Sequence, residues 1–283
     1  MQQTLAQALA AARLDAVDAR ALMRHLLAVD GAWLETHADD TLTAAQNAAY
    51  AALVARRAAG EPVAYNVGTR EFFSLEFTVA PAVLIPRPET ELLVEFGLER
   101  IDTAGARSVL DLGTGSGCIA IAIARARPRI RVVAVDSSAA ALAVARENAQ
   151  LHATANLTLV ASDWFTALAG RRFDVIVANP PYVAAGDAHL QQGDLRFEPA
   201  GALAAGSDGL DCIRAIVASA PQYMNRGGAL AFEHGYDQAA RCRDLLTAAG
   251  FSAVFSRTDL AGIERLSGGL PGGNALTQGR ANR

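Results

Sequence analysis

The amino-acid sequence predicts an α/β protein built around a mostly parallel, doubly wound β-sheet. Three observations lead to this fold class. From residue 107 onward, short apolar runs of strand length alternate with helical patterns, which is the rhythm of strand–helix–strand units. A glycine-rich turn follows the first of these runs and opens a helix. Hydrophobic residues make up 52% of the 283 residues and charged residues 19%, so the chain can bury a sizeable core.

Residues 1–60 precede this pattern and predict a small bundle of helices, because leucines recur at helical spacing. Thr43 and Gln46 have the spacing of a capping box, so a helix should open there, run to Ala59 and end at Gly60. The segment contains no cluster of catalytic residue types. We therefore expect it either to cap the structure or to grip a macromolecular partner.

The composition changes over residues 61–86, where Pro62 interrupts the helical pattern. Apolar and polar residues alternate around Phe72 and Phe77, which predicts a β-hairpin linker. Immediately afterwards, Arg87 stands between two prolines. We expect its side chain to form a salt bridge in preference to part of a site wall.

Residues 87–270 are predicted to form the α/β domain. The glycine-rich run after Gly268 predicts a frayed end, and residues 271–283 are expected to be a disordered tail. The predicted strands are residues 108–112, 132–136, 157–160, 173–178 and 229–233. One predicted helix follows the glycine-rich turn and ends near residue 126. Three further helices are predicted over residues 138–152, 208–224 and 237–249.

Composition excludes several classes of protein. All 25 basic residues are arginine, which excludes a phosphate-binding loop ending in Gly-Lys-Ser/Thr and a lysine Schiff base. The net charge of −4 and the pI of about 5.8 count against a protein that binds duplex DNA. The three cysteines are widely spaced and are expected to be reduced thiols. With no secretion signal and no apolar run of membrane-spanning length, we expect a soluble cytoplasmic protein.

The glycine-rich turn at residues 113–117 has the spacing Gly-x-Gly-x-Gly. Dinucleotide-binding proteins use the longer spacing Gly-x-Gly-x-x-Gly, which opens a helix N-terminus to a pyrophosphate. The shorter turn fits a nucleoside that carries no phosphate, such as S-adenosylmethionine. Asp136, at the end of the second predicted strand, is placed to bind ribose hydroxyls. A nicotinamide-dependent enzyme remains an alternative at this point.

Asp163 and Trp164 follow the third predicted strand. An aspartate there could accept a hydrogen bond from an adenine amino group, and the indole could pack on the adenine ring. A capping aspartate and a core tryptophan are equally compatible with the pattern taken in isolation. The nearby glycine-rich turn and Asp136 favour the cofactor interpretation.

The functional interpretation is organised around Asn179, Pro180, Pro181 and Tyr182. They follow a buried strand, where open α/β sheets place ligands, and the two prolines stiffen the loop. The side-chain oxygen of Asn179 and the carbonyl of Pro180 are two acceptors suited to one NH2 group, while Tyr182 offers a flat face. Such a site can aim the lone pair of an amide or an exocyclic amine at a methyl group without a general base. The alternative is a proline-rich turn that caps a strand.

These motifs together resemble the HemK/PrmC-like family of peptide-chain release factor glutamine methyltransferases. The resemblance covers roughly residues 5–267 and implies a Rossmann-like class I S-adenosylmethionine-dependent methyltransferase domain. It also implies methylation of the side-chain amide nitrogen of a glutamine, and an N-terminal helical domain that docks the release factor. Its main carriers are Leu-Ile-Pro-Arg-Pro-Glu-Thr-Glu at residues 84–91, Asp-Leu-Gly-Thr-Gly-Ser-Gly at residues 111–117, Asp163-Trp164, and Asn-Pro-Pro-Tyr at residues 179–182.

The resemblance further implies roles for individual residues. No metal is expected. The chain departs from the family pattern where residues 263–266 run into glycines in place of a fuller last strand. The implied cofactor-binding residues are Gly113, Thr114, Gly115, Ser116, Gly117, Asp136, Trp164 and Asn179. The implied glutamine-binding residues are Asn179, Pro180, Pro181 and Tyr182, of which Asn179, Pro180 and Tyr182 are the implied catalytic residues.

Other classes of protein share parts of the pattern. An adenine-amino methyltransferase acting on DNA or RNA also uses Asn-Pro-Pro-Tyr, but the acidic pI and the absence of lysine count against it. A dehydrogenase is disfavoured by the glycine spacing, and a non-enzymatic binding module would require a vestigial cofactor loop. We therefore expect a monomeric enzyme whose partner is the release factor, with no direct contact with nucleic acid or membrane.

Overall fold

The computed structural model describes residues 3–272, which fold into two compact units. Residues 3–69 and the short segment Gln191–Phe197 form a helical unit, and residues 70–190 with 198–272 form an α/β unit. Within the described range, every helix is too short or too polar to cross a membrane.

The helical unit contains five α-helices packed around apolar side chains such as Leu22. The Thr43 side chain accepts a hydrogen bond from the Gln46 backbone, and the Gln46 side chain accepts one from the Thr43 backbone, so the predicted capping box is confirmed. Tyr50 is buried in this core and donates its hydroxyl proton to the carbonyl of Ala19 at 3.0 Å. The helices are α1 (Leu5–Ala11), α2 (Ala16–Leu27), α3 (Gly31–Thr36), α4 (Ala44–Ala58) and α5 (Val63–Val67).

The first part of the hairpin linker predicted for residues 61–86 is helical in the structure, because it contains α5. Pro62 stands at the start of this short helix, where a missing N–H costs nothing because the first helical N–H groups have no partner in the helix. Gly68 ends the helix with a φ of +80°. The proline therefore starts a new helix after interrupting the previous one.

The segment Gln191–Phe197 belongs to the helical unit, although the sequence predicts an uninterrupted domain from residue 87. Arg57 Nη1 donates to Asp194 Oδ1 at 2.9 Å, and Arg196 Nη2 donates to the Ala59 carbonyl at 2.7 Å. Both pairs join residues 137 positions apart in the chain. Contacts at that separation leave no local pattern in a sequence, so periodicity and composition do not reveal them.

The predicted hairpin is present and is shorter than the linker assigned to it. Its turn consists of Phe73 and Ser74, whose φ values of +51° and +59° match the two-residue turns that suit the twist of a hairpin. Phe72 and Phe77 are both buried in the core of the α/β unit. The two strands are β1 (Thr69–Phe72) and β2 (Leu75–Thr78).

A seven-stranded sheet forms the centre of the α/β unit. Its strands are β3 (Ser108–Leu112), β4 (Arg131–Asp136), β5 (Leu157–Ala161), β6 (Phe173–Ala178), β7 (Met224–Glu233), β8 (Phe251–Thr258) and β9 (Glu264–Pro271). Their spatial order is β5–β4–β3–β6–β7–β9–β8; the first five are parallel, and β9 is antiparallel to β7 and β8. This arrangement confirms the predicted mostly parallel sheet. Because successive strands add outward on opposite sides of β3, a ligand crevice is expected at the C-terminal ends of β3 and β6.

Helices cover both faces of this sheet, and strand periodicity divides the core accordingly. On β3, Val109 packs in the layer that contains α6 and α7, and Leu110 packs in the layer that contains α9 and α10. Burial of both faces explains the continuous apolar runs in the sequence. The helices of this unit are α6 (Glu91–Ala104), α7 (Cys118–Ala126), α8 (Ala139–Leu151), α9 (Asp211–Ser219) and α10 (Ala239–Ala248).

The last strand, β9, passes through Gly268 and Gly269, so the frayed end predicted after Gly268 is wrong. A Cβ atom on Gly268 would lie 2.3 Å from the carbonyl oxygen of Leu230 and 2.7 Å from the ring of Phe255. Glycine stands there because the backbone of β7 and a ring from β8 approach too closely for a side chain. These glycines therefore mark a close packing contact and not the end of the sheet.

The disordered tail predicted for residues 271–283 also begins too early. Pro271 is the last residue of β9, and the N–H of Gly272 donates to the carbonyl of Gly250 at 3.0 Å. The remainder of that prediction, residues 273–283, lies outside the described residues.

Candidate active site

A cavity of about 380 Å³ opens at the C-terminal ends of β3, β4, β5 and β6. Volumes of this order are typical of sites for small molecules, and the position is the one expected from the strand order. Most of the predicted cofactor-binding residues line it. They are Gly113, Thr114, Gly115 and Ser116 after β3, Asp136 on β4, Trp164 after β5, and Asn179 after β6, accompanied by Asp163 and Pro181.

The turn after β3 presents bare backbone to this cavity. Gly113, Gly115 and Gly117 have φ values of +70°, +57° and +86°, a region that favours glycine. A Cβ atom on Gly115 would meet nothing within 4 Å, whereas one on Gly113 would touch the Trp164 ring at 3.5 Å. Gly117 packs inside the fold, since its Cβ would lie 2.8 Å from the side chain of Ile121, and it does not line the cavity.

Asp136 holds this turn from the neighbouring strand. Its Oδ2 accepts a hydrogen bond from the Gly115 N–H at 2.9 Å, and its Oδ1 accepts one from the Ser138 N–H at 2.8 Å. Each carboxylate oxygen keeps a further lone pair, so Asp136 can still accept hydrogen bonds from hydroxyl groups. The turn and the aspartate that the sequence predicts are thus joined by a direct hydrogen bond.

Asp111 lies beneath the same turn and was not among the predicted site residues. The side chain is fully buried; its Oδ2 accepts a hydrogen bond from Thr114 Oγ1 at 2.6 Å, and its Oδ1 has no partner among residues 3–272. Burial raises the pKa of Asp111 to about 7, although the Thr114 hydroxyl opposes the shift. The signal in the sequence was a single acidic residue between two leucines of a buried strand.

Trp164 reaches the cavity through an unusual backbone conformation. Its φ of +45° is rare for a residue with a side chain. Ser162 stabilises the turn, because its hydroxyl donates to the Trp164 carbonyl at 2.9 Å and accepts from the Ala167 N–H at 3.0 Å. Strained residues of this kind concentrate at functional sites. The indole forms a flat wall of the cavity beside Gly113.

Asn179 stands at the end of β6 with its side-chain amide held by a buried partner. Its Nδ2 donates to Thr90 Oγ1 at 3.0 Å, and Thr90 Oγ1 donates in turn to Glu233 Oε2 at 2.7 Å. Tyr182 donates its hydroxyl proton to the other carboxylate oxygen, Glu233 Oε1, at 3.1 Å. One buried carboxylate thus connects both polar side chains of the Asn-Pro-Pro-Tyr motif. Neither Thr90 nor Glu233 was singled out from the sequence.

A second, smaller cavity of about 180 Å³ contains Tyr182, which does not line the larger one. Pro180 lines neither cavity. Burial raises the pKa of Glu233 to about 7, and burial with the nearby Glu233 carboxyl raises the pKa of Tyr182. Besides Tyr182, the residues that line the second cavity are Glu233, Arg87, Glu89 and Arg265.

Arg87 lines both cavities and forms an ion pair with Glu198, whose side chain is completely buried. The predicted salt bridge of Arg87 is therefore confirmed. The site-wall interpretation also holds, because the paired guanidinium remains part of the lining of each cavity. A buried partner of this kind fixes the orientation of an arginine more firmly than an exposed pair does.

The residues around the larger cavity fit S-adenosylmethionine. The Asp136 carboxylate suits ribose hydroxyls, the bare backbone at Gly115 allows close approach, and the Trp164 indole offers a surface for a planar base. Within residues 3–272, no group of three or more His, Cys, Asp or Glu side chains could hold a metal ion.

Solved structures with this fold include methyltransferases. The hMettl16 catalytic domain in complex with a MAT2A 3′UTR hairpin matches with a TM-score of 0.58 and 13% identity, over 88% of this chain and 90% of that chain. A methyltransferase from Pyrococcus furiosus matches with a TM-score of 0.54 and 18% identity, over 77% of this chain and 97% of that chain. At these identities the likeness shows the fold, that of a class I S-adenosylmethionine-dependent methyltransferase.

Sequence relatives are much closer. The family model "PrmC N-terminal domain" matches residues 1–68, and "Methyltransferase small domain" matches residues 89–204. The release factor glutamine methyltransferase of Burkholderia pseudomallei is 57% identical, over 95% of this chain and 97% of that protein. The protein of the same name from Xylella fastidiosa strain 9a5c is 52% identical, over 92% and 95%. The chain therefore belongs to the release factor glutamine methyltransferase family.

Proposed function

We propose that this protein transfers the methyl group of S-adenosylmethionine to the side-chain amide nitrogen of a glutamine in peptide-chain release factors. The observation that carries the proposal is the position of the Asn-Pro-Pro-Tyr motif. Asn179 lines the large cavity that fits the cofactor, and Tyr182 lines the smaller cavity. A planar amide held by this motif would therefore lie between the two cavities, with Asn179 on the side of the larger cavity and Tyr182 on the side of the smaller one.

The cofactor would occupy the larger cavity. Asp136 would accept hydrogen bonds from the ribose hydroxyls, and Trp164 would pack against the adenine. The other proposed cofactor-binding residues are Gly113, Thr114, Gly115, Ser116, Gly117 and Asn179. Gly117 contributes by shaping the turn, because its side of the loop packs against Ile121.

The substrate amide would be held by Asn179, Pro180, Pro181 and Tyr182. The Asn179 side-chain oxygen and the Pro180 carbonyl accept the two hydrogens of the glutamine NH2 group, and Tyr182 fixes its plane. Nδ2 of Asn179 is already occupied by Thr90 at 3.0 Å, which leaves the oxygen end of the amide for the substrate. Asn179, Pro180 and Tyr182 are thus the catalytic residues of the proposal.

The chemistry requires orientation more than acid or base. When bound, S-adenosylmethionine supplies an electrophilic methyl group on a positively charged sulfur. An amide nitrogen is a poor nucleophile because its lone pair is delocalised, so acceptors on both hydrogens help to direct that lone pair along the reaction axis. The proton leaves the nitrogen after transfer, and no side chain is required to remove it beforehand.

The helical unit is proposed to dock the release factor. It contains the residues matched by the PrmC N-terminal family model and none of the residues that line the two cavities. We further propose that the enzyme acts as a cytoplasmic monomer without direct contact with nucleic acid or membrane. The net charge of −4 supports the absence of a nucleic-acid surface.

A methyl-transfer assay tests the proposal. Purified protein is mixed with methyl-labelled S-adenosylmethionine and either release factor or mixed DNA and RNA oligonucleotides, and the products are separated and counted. Label on a release factor glutamine, lost when that glutamine is replaced by leucine, is the expected result. Label on the oligonucleotides and not on release factor would overturn the proposal in favour of an adenine-amino methyltransferase, whose rate should fall as salt rises.

A further inference from the structure

Glu233 lies at the end of β7 and is connected to the catalytic loop by a chain of hydrogen bonds. The residue is 3% exposed and lines the smaller cavity. Oε2 accepts from Thr90 Oγ1 at 2.7 Å, and Thr90 Oγ1 accepts from Asn179 Nδ2 at 3.0 Å. Oε1 accepts from the Tyr182 hydroxyl at 3.1 Å.

The direction of each hydrogen bond between Asn179, Thr90 and Glu233 follows from the negative charge of the Glu233 carboxylate. A carboxylate can only accept hydrogen bonds, so the single hydroxyl proton of Thr90 must point to Glu233. Towards Asn179, the Thr90 oxygen can then only accept. The NH2 end of the amide must therefore face Thr90, and the amide oxygen must face away from it. This assignment rests on hydrogen-bond logic and does not depend on telling nitrogen from oxygen by their positions.

We propose that Glu233 is a positioning residue for methyl transfer, whose carboxylate sets the polarity of the Thr90–Asn179 chain and so presents the Asn179 amide oxygen to the substrate NH2 group. The inference rests on the proposed function, in which that oxygen accepts a substrate hydrogen. The same carboxylate orients the Tyr182 hydroxyl. Glu233 itself touches neither the substrate nor the cofactor in this scheme.

Protonation of Glu233 would remove the constraint. A carboxylic acid can donate to Thr90, and the Thr90 hydroxyl can then donate to an amide oxygen, so both orientations of the Asn179 amide become possible. Burial raises the pKa of Glu233 to about 7 and Glu89 adds to the rise, whereas the hydrogen bonds from Thr90 and Tyr182 and the charge of Arg265 oppose it. The other charged or titratable groups nearby are Arg87 and Tyr182 in the small cavity and Cys118 at the start of α7. The competent carboxylate form is therefore gained as the pH rises through about 7.

The first experiment compares the pH dependence of kcat in the full-length enzyme and in Glu233→Gln, with saturating S-adenosylmethionine and release factor. Glutamine fills the same space and gives each hydroxyl a partner, but it does not ionise. We expect the wild-type kcat to fall on the acid side with a midpoint near pH 7. In Glu233→Gln this acid limb should be absent. An acid limb that persists at the same midpoint in the variant would overturn the inference.

The second experiment uses a matched pair of substitutions at Thr90, which lies between Asn179 and Glu233 in the series of hydrogen bonds. Thr90→Val keeps the shape and removes the hydroxyl, whereas Thr90→Ser keeps the hydroxyl. We expect Thr90→Val to lower kcat by roughly 10- to 100-fold, the effect of one lost orienting hydrogen bond, while cofactor affinity changes by less than about 3-fold. Thr90→Ser should restore most of the rate. Equal rates in the two variants would contradict the role assigned to this chain.

A third measurement separates the inference from the proposed function. The side-chain amide resonance of Asn179 is followed by NMR in substrate-free wild type and in Glu233→Gln as the pH is changed. A titration near pH 7 that the variant lacks supports the polarity mechanism, even if release factor proves not to be the substrate. Methylation of release factor with no such titration would leave the proposed function intact and overturn the inference.

Discussion

Asp136 is the residue whose loss should most directly affect the cofactor, because its carboxylate holds the Gly115 turn and is proposed to bind the ribose hydroxyls. We expect Asp136→Ala to weaken S-adenosylmethionine binding by ~10- to 150-fold, the equivalent of ~1.5–3 kcal/mol for hydrogen bonds to a charged acceptor. Isothermal titration calorimetry measures the change. The exposed Asp244→Ala in α10 serves as the control and should bind as wild type does. Unchanged affinity in Asp136→Ala would remove this residue from the cofactor site.

Asn179 should separate catalysis from cofactor binding. Its Nδ2 is held by Thr90, and its oxygen is proposed to orient the substrate. We expect Asn179→Ala to reduce kcat by roughly 10²–10³-fold, as the loss of one catalytic donor or acceptor commonly does, with a much smaller loss of cofactor affinity. Single-turnover kinetics measures the loss of rate, and calorimetry on the same preparation measures the loss of cofactor affinity. Equal losses in both would mean that Asn179 serves only the cofactor.

Asp111 gives a prediction for stability at the same scale. The pKa of this buried carboxyl is about 7 in the folded protein and about 3.8 in the unfolded chain, so the folded state keeps a proton that the unfolded state releases between these values. Stability from this group should therefore fall as pH rises from about 4 to about 7, by up to ~1.4 kcal/mol per pH unit. Urea unfolding of cofactor-free Asp111→Asn and wild type across this range tests it. The stability of Asp111→Asn relative to wild type should therefore increase with pH, and a relative stability that stays constant would contradict the buried titration.

The site residues illustrate how far sequence reasoning reaches. The Gly115 turn and Asp136 were predictable because they follow strands that local periodicity identifies. The joint role of Thr90 and Glu233 was not predictable, although Thr90 lies within the motif at residues 84–91, since that role comes from a contact across 143 positions of sequence. Patterns within a window of residues cannot show which side chains meet in space.

At the scale of single elements, β9 is where the sequence-based fold prediction was wrong. Glycine normally weakens a strand, so the Gly268–Gly269 pair pointed to fraying. In the structure, β9 lies between β7 and β8, and the close contact to the Leu230 carbonyl requires glycine. The five strands of the parallel part were predictable because each contains a mostly apolar run of strand length. The antiparallel β8 mixes apolar and polar residues and is only partly buried, so it carries no comparable signal.

This contact predicts the effect of adding one methyl group to β9. Gly268→Ala would place a Cβ atom 2.3 Å from a backbone oxygen that cannot move without shifting β7. We expect the free energy of unfolding to fall by ~1–3 kcal/mol or more, in line with overpacking of a core. Gly186→Ala is the matched control, because a Cβ atom there would meet nothing within 4 Å. Chemical denaturation of both variants gives the comparison, and equal stabilities would show that β9 is not held at this spacing.

At the scale of the whole molecule, recognition and chemistry are proposed to reside in separate units. All residues lining the two cavities belong to the α/β unit, which starts at Arg70 and contains all of the hairpin except Thr69, the first residue of β1. Phe72 and Phe77 are both buried in that unit, so a truncation should begin before the hairpin and not within it. A chain starting at Thr69 therefore keeps the whole hairpin and every proposed cofactor-binding residue.

We expect this shortened enzyme to bind S-adenosylmethionine within about 3-fold of the full chain, which also reports that its site is folded. Its kcat/KM for whole release factor should fall by ~10²-fold or more, because docking energy that positions the glutamine is lost. A short glutamine-containing peptide offers no docking surface, so both enzymes should methylate it at the same low rate. Steady-state assays on both substrates make the comparison. If the shortened enzyme methylates whole release factor as well as the full chain does, the helical unit does not dock the substrate, and its function must be sought elsewhere.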